Sequence, residues 1–311
     1  MSKIKLKYIP HGVSEKFFFP ITTAHPEYLA LQEFKKHLYK GKEYDFTLLY
    51  NARNIRRKSV PDLMLAWKLF IDNLPEGAEN KCALVMHTQV VDENGTDLQA
   101  VHEMLFGNSK KYNVIFDENK YPSNIMNLLY NATDGTILIS SNEGFGLSLA
   151  EARMCGKMII ANSTGGMVDQ MRFEDDEGKW IEYTPEFPSN HFGTYKECGE
   201  WAIPVFPSNV SMIGSVPTPY ITDDRCDFRD VAKAIREMYD LGPEERKRRG
   251  EKGYEWVMSD ESMMSARWMC KNIIDGIDET LEKWQPRHRF ELIQLETPKQ
   301  PKHYSDTPLV Y

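Results

Sequence analysis

"GTILISSNEGFGLSLAEARMCGKMIIAN", residues 135–162, opens on an apolar run of strand length and closes on another, "KMIIAN". Between them lie a polar loop holding two glycines and a segment, 147–155, with helical spacing. Strand, helix and strand at this spacing predict a parallel pair joined by a right-handed crossover. The same alternation extends upstream. "FTLLYNA" (46–52), "CALVMHT" (82–88) and "YNVIF" (112–116) read as strands, with helices near 59–73, 96–106 and 122–132. The fold expected is α/β, a doubly wound parallel sheet of the Rossmann-like kind with helices on both faces.

Composition bounds the function. With 311 residues, 41% hydrophobic and 27% charged, the chain has material for a sizeable core. A formal net charge of −8 argues against a surface built to coat nucleic acid. The five cysteines are dispersed and form no CxxC pair, so neither a disulfide framework nor a zinc site is expected, and a reducing cytoplasm fits. No apolar run approaches the ~20 residues of a membrane span, and three glycosylation sequons are read as chance. Three regions are expected: an N-terminal segment (1–40), the α/β domain (41–284), and an irregular tail (285–311) that either wraps the surface or docks on a neighbour. Residues 172–222, rich in proline, glycine and aromatics, read as an ordered insertion, with Trp201 and Tyr220 expected as core anchors rather than acceptor-side contacts. Asp260 and Glu261 are expected to open the last helix, where acids suit the helix dipole.

The loop after "GTILIS" lies where ligands bind in such sheets, beyond the carboxyl ends of the strands. Gly144 and Gly146 let backbone N–H groups face a guest at the positive end of the following helix, which suits an anion. Glu143 at the pocket mouth and Glu151 within the helix are each able to grip a vicinal diol; equally, one is a helix-start acid and the other a solvated helix residue. Their neighbours favour the first reading. "NARNIRRK" sets Arg53 and Lys58 beside the end of the first strand, where cations neutralise a diphosphate. Gly165 and Gly166 supply a second backbone-lined turn.

"SSNEGFGLSLAEARMCGKMIIANSTGG" resembles the donor-binding signature of retaining GT-B-fold glycosyltransferases of the family 4 type. "NARNIRRKSVPDLMLAW" is similar to the R-x4-K segment of that family, "NIMNLLYNATDGTILIS" to its Y-x-x-A-D stretch, and "YIPHGVSEKFFFPI" to the connection that opens its C-terminal half. The resemblance implies the following roles. Arg53 and Lys58 hold the donor diphosphate and Glu143 touches the donor sugar. The backbone of Gly144, Phe145, Gly146 and Leu147 lines the sugar and phosphate pocket, and Glu151 binds the ribose. Phe116, Glu118 and Asn119 flank the base, and Gly165 and Gly166 sit near the phosphates. It also implies a nucleotide-diphospho-sugar such as a UDP- or GDP-sugar as donor, no cofactor and no metal, and transfer with retention to a glycan, lipid or protein acceptor.

Departures accompany the match. The family's glycine-rich turn after the second strand is here "VMHTQVVDENG", with His87 expected as a packed strand-end residue. The acid of the "GG-x-x-E" ending is shortened to Asp169. The family's first, acceptor-binding half has no counterpart in the chain, so a fragment, a half-enzyme with a partner chain supplying that domain, and a catalytically incomplete nucleotide-sugar-binding or protein-interaction module all stand as readings. A dehydrogenase is disfavoured because no GxGxxG joins the first strand and helix. A glycosidase using the two glutamates is disfavoured because the glycines between them suit an anion better.

Overall fold

The computed structural model describes residues 7–181 and 190–285. They fall into two compact units, Met1–Ile273 and Ile274–Tyr311. The first holds the sheet. Its strands are β1 (Phe46–Asn51), β2 (Cys82–His87), β3 (Val114–Asp117), β4 (Gly135–Leu138), β5 (Met158–Asn162) and β6 (Ala202–Val205). All neighbours are parallel, in the order β3-β2-β1-β4-β5-β6. β2 lies to one side of β1 and β4 to the other, so the winding direction reverses between β1 and β4. That reversal opens a crevice at the carboxyl ends of those two strands.

The central strands are apolar without alternation because both faces are covered. The main helices before the sheet's last strand are α1 (Tyr28–Leu38), α2 (Val60–Asp72), α3 (Leu98–Phe106), α4 (Ser123–Ala132), α5 (Leu147–Met154) and the short α6 (Met167–Met171). Phe46 of β1 has no exposed surface and stands among Trp67 and Phe70 of α2. The Trp67 indole donates to the Tyr112 carbonyl at 2.6 Å, so the ring is buried without an orphaned N–H. The predicted strands and helices from 46 to 162 match these elements to within one or two residues at most ends.

Residues 7–21 form an irregular segment, with a turn at Ser14–Phe18, pinned by side chains. Asn127 accepts from the Phe19 N–H, and Asn131 both accepts from Ile21 and donates to Phe19. These two asparagines of α4 do for the segment what a neighbouring strand would do, satisfying its backbone in a buried position.

The region read as an insertion contributes more than expected. It supplies β6, the sheet's last strand, and an antiparallel hairpin, β7 (Asn209–Ser215) with β8 (Thr218–Arg225). Trp201 is buried as expected, but Tyr220 is 87% exposed on the hairpin and anchors no core. Then follow α7 (Phe228–Asp240), α8 (Gly242–Met258) and α9 (Ala266–Lys283). Asp260 and Glu261 do not open α9. The helix starts after Ser265, and Glu261 instead pairs with Arg172 at 3.2 Å. The second unit begins within α9, and the expected irregular tail falls almost wholly at 286–311, outside the described residues. No helix among the described residues is long and apolar enough to cross a membrane.

Candidate active site

A cleft of about 620 Å³ occupies the switch point. After β1 the chain turns through a short 3-10 helix, Arg56–Lys58, ended by Ser59 with a left-handed φ of 52°. This turn is tied to the loop after β4, since Ser141 donates its N–H to the Arg57 carbonyl at 2.7 Å. The two loops therefore form one surface. From it, Lys58 and Arg57 both converge on the Glu143 carboxylate, Arg57 at 2.8 Å and Lys58 through a short hydrogen bond. Arg57 also donates to the Asn142 carbonyl at 2.7 Å.

Glu143 and Lys58 are buried, whereas Arg57 is half-exposed. Burial alone would raise the Glu143 carboxyl, but hydrogen bonding and charge from Lys58, with help from Ser140 and Arg57, hold it below its ordinary range. Burial lowers the Lys58 ammonium against the pull of Glu143. Beneath them, the Tyr50 hydroxyl is buried without a hydrogen-bond partner among the described residues. Arg53 also lines the cleft but is held from outside by Asp92 of the loop after β2, through contacts of 2.6 and 3.2 Å.

The floor is Glu143-Gly144-Phe145-Gly146 and the start of α5. Gly146 caps the helix at φ +85°, which favours glycine, and no side chain caps its first turn. The first-turn N–H groups of a helix have no partner inside it. Gly165 and Gly166 do not line the cleft. They back the loop so closely that a Cβ on Gly166 would lie 2.1 Å from the Gly144 oxygen, and one on Gly165 2.3 Å from that of Glu143.

On the far wall, Glu151 is neither solvated nor a helix-start acid. Asn51 donates to the Tyr130 hydroxyl at 2.6 Å, and that hydroxyl donates to Glu151 at 2.6 Å, an arrangement that orients the carboxylate. Burial raises the Glu151 carboxyl despite the Tyr130 hydrogen bond. A carboxyl with a raised folded pKa weakens the fold at pH above its unfolded value, and that cost disappears as pH falls. Glu151→Gln is therefore expected to raise the thermal midpoint by ~2 °C at pH 7 and to leave it unchanged near pH 4. Thermal unfolding at the two pH values checks it; an equal shift at both would exclude the ionisation as cause.

Eight of the thirteen residues singled out from the sequence thus meet in this cleft: Arg53, Lys58, Glu143, Gly144, Phe145, Gly146, Leu147 and Glu151. Phe116 and Asn119 line a separate hollow of about 360 Å³ beside Asp117 and Tyr121. Glu118 is spent on accepting the Val90 N–H at 2.8 Å. His87 is a packed strand-end residue, stacked on Tyr121 and 3.3 Å from Asp117. Sequence reasoning missed Arg57, Tyr130, Asn51 and His11, whose ring lies 5.3 Å from that of Phe145 in the cleft. Asp169 is half-buried and accepts from the Tyr8 hydroxyl at 2.6 Å. Among the described residues, no three or more His, Cys, Asp or Glu side chains stand together as a metal site would need.

Comparisons with known proteins bear on this geometry. Residues 32–183 match the family model described as glycosyl transferases group 1. No curated protein matches the chain. Among solved structures, it is similar to sucrose-phosphate synthase from Thermosynechococcus elongatus, with 17% identity, a TM-score of 0.58, and 88% of this chain and 52% of that one covered. HepE of Anabaena, solved with UDP-glucose, gives 13% identity and a TM-score of 0.58, with 88% and 57% covered. The C-terminal domain of a group 1 glycosyl transferase from Francisella tularensis gives 16% identity and a TM-score of 0.51, with 80% and 98% covered. These likenesses show the fold of the C-terminal half of GT-B enzymes. The chain spans about half the length of the first two structures.

Proposed function

Residues 32–183 form a glycosyl transferases group 1 domain, and on that premise we propose that the chain is the donor-binding half of a retaining glycosyltransferase acting on a nucleotide-diphospho-sugar. The observation that carries this reading is the cleft at the switch point. It sets Lys58, Arg57 and Glu143 against the uncapped first turn of α5, with an oriented Glu151 across from them.

The parts fit one donor. A diphosphate lying along the α5 N-terminus meets unpaired amides and the helix dipole, with Lys58, Arg57 and Arg53 as cations. As the bond from sugar to diphosphate breaks, negative charge grows on the departing phosphate, and the same cations stabilise it. Glu143, kept ionised by its two cations, is an acceptor for sugar hydroxyls. Glu151 accepts from a ribose diol. UDP-glucose, the ligand in the HepE structure, has all these groups. Retention follows from displacement on the same face of the sugar, the acceptor approaching from the open side of the cleft.

Calorimetric titration of UDP, GDP and ADP into the wild-type chain is expected to show binding by one of them. Glu151→Ala is expected to weaken it ~10- to 100-fold, the range for losing hydrogen bonds to a charged acceptor. If none of the three binds wild type, the proposal fails. Turnover is checked separately, by donor hydrolysis or transfer with the chain alone and with a candidate acceptor domain.

A further inference from the structure

Arg153 of α5 has no exposed surface and no carboxylate partner among the described residues. Two of its guanidinium nitrogens, Nε and Nη1, have no hydrogen-bond partner among the described residues. The third, Nη2, donates to Gln170 Oε1 at 2.9 Å and lies 3.3 Å from the Met264 sulfur. Gln170, on α6 and equally buried, donates its Nε2 to the Phe145 carbonyl at 2.5 Å and the Gly146 carbonyl at 3.0 Å. Chemistry fixes the direction of this chain. A guanidinium only donates and a carbonyl only accepts, so the Gln170 amide has one orientation that serves both neighbours.

The consequence falls on the floor of the cleft. The Glu143 carbonyl is taken by the Gly166 N–H at 3.0 Å, and those of Phe145 and Gly146 by Gln170. With its carbonyls turned toward α6, the loop has its N–H edges left for the cleft. An apolar pair at 153 and 170 would fill the same space without burying a cation, and replacing a buried charge by apolar packing commonly stabilises a fold. A buried guanidinium also polarises the amide it touches, strengthening that amide's own donation.

We propose that Arg153 and Gln170 are positioning residues, a buried relay that turns the Phe145–Gly146 peptide units so that their amides meet the donor diphosphate. This rests on the nucleotide-sugar reading of the cleft. Arg153 acts through Gln170, and neither touches the ligand.

The test uses the full chain and two readouts. In the ligand-free protein, amide hydrogen exchange over residues 143–150 is expected to quicken in Gln170→Leu and, less, in Arg153→Met, while peptides covering β1 and β2 stay unchanged. In the second readout, the tightest binder among UDP, GDP and ADP is compared with its own nucleoside. Gln170→Leu is expected to lose ~10-fold in diphosphate affinity, the worth of about one hydrogen bond, with nucleoside affinity held within about twofold. Arg153→Met combined with Gln170→Leu is expected to be no weaker than Gln170→Leu alone, since the two act in series. Gln170→Met serves if the leucine variant does not fold. Unchanged local exchange, or equal loss of nucleoside and diphosphate, overturns the relay. If wild type binds no nucleotide, the donor reading fails, and the exchange measurement still decides the relay.

Discussion

Lys58→Ala is expected to cost about 2–4 kcal/mol of folding stability and to remove nucleotide binding. Glu143 is buried, and its carboxylate is satisfied by Lys58 and Arg57 together. Removing the buried partner leaves a carboxylate in a place of low polarity, supported by Ser140 and a half-exposed arginine, and the penalty for such an orphan exceeds the net worth of the pair. The pH dependence follows from the sign of the shift. The Glu143 carboxyl is held below its ordinary range in the folded chain, so its contribution is complete above the unfolded value and lost as pH falls through the folded one. The stability gap between wild type and Lys58→Ala should accordingly be widest near neutrality and close toward acid. Urea unfolding at several pH values measures it. A companion variant separates stability from binding. Lys58→Met with Glu143→Gln removes both charges and should recover most of the stability but none of the affinity for a diphosphate. A double variant that binds as wild type does would show that these charges are structural only.

The fold was legible where packing forces a pattern. Strands covered on both faces must be apolar throughout, so β1, β2, β4 and β5 stand out as runs, and the helices between them carry their own period. β6 did not stand out, because "AIPV" contains Pro204 in a region crowded with glycine and proline. It is tolerable there because β6 is the edge of the sheet, where a missing N–H costs one ladder bond at most. α9 was placed too early because Asp260 and Glu261 look like a helix start, and a distant partner, Arg172, had claimed one of them.

The site was half-legible for a similar reason. Motif spacing finds residues whose roles follow from local backbone, such as the Gly144–Leu147 loop. It does not say which of Arg56, Arg57 and Lys58 faces inward, because three consecutive residues of a 3-10 turn point in three directions. Nor does it show that Arg53 is already held by Asp92, or that Tyr130 hands a hydrogen bond from Asn51 to Glu151. Those facts join segments tens of residues apart and exist only once the sheet has formed.

A glycine behind the floor and one within it give the second large effect. Gly166→Ala is expected to destabilise the chain by about 3 kcal/mol, at the upper end for overpacking, and to lower diphosphate affinity at least ~100-fold. Its φ is −67°, which any residue adopts, so the cause is steric. The new methyl would sit 2.1 Å from the Gly144 oxygen and 2.7 Å from the Phe145 Cα, both backbone atoms that cannot swing aside as a side chain would. The loop must shift, and the amides of the α5 first turn shift with it. Gly144→Ala is the matched control, since a Cβ there meets nothing within 4 Å. Its stability should stay within ~0.5 kcal/mol of wild type, so any affinity it loses reports a clash with the ligand itself. Denaturant unfolding and titration of the two variants side by side check the pair. Should Gly166→Ala bind nucleotide as wild type does, the closeness of α6 to the loop has no bearing on the donor site.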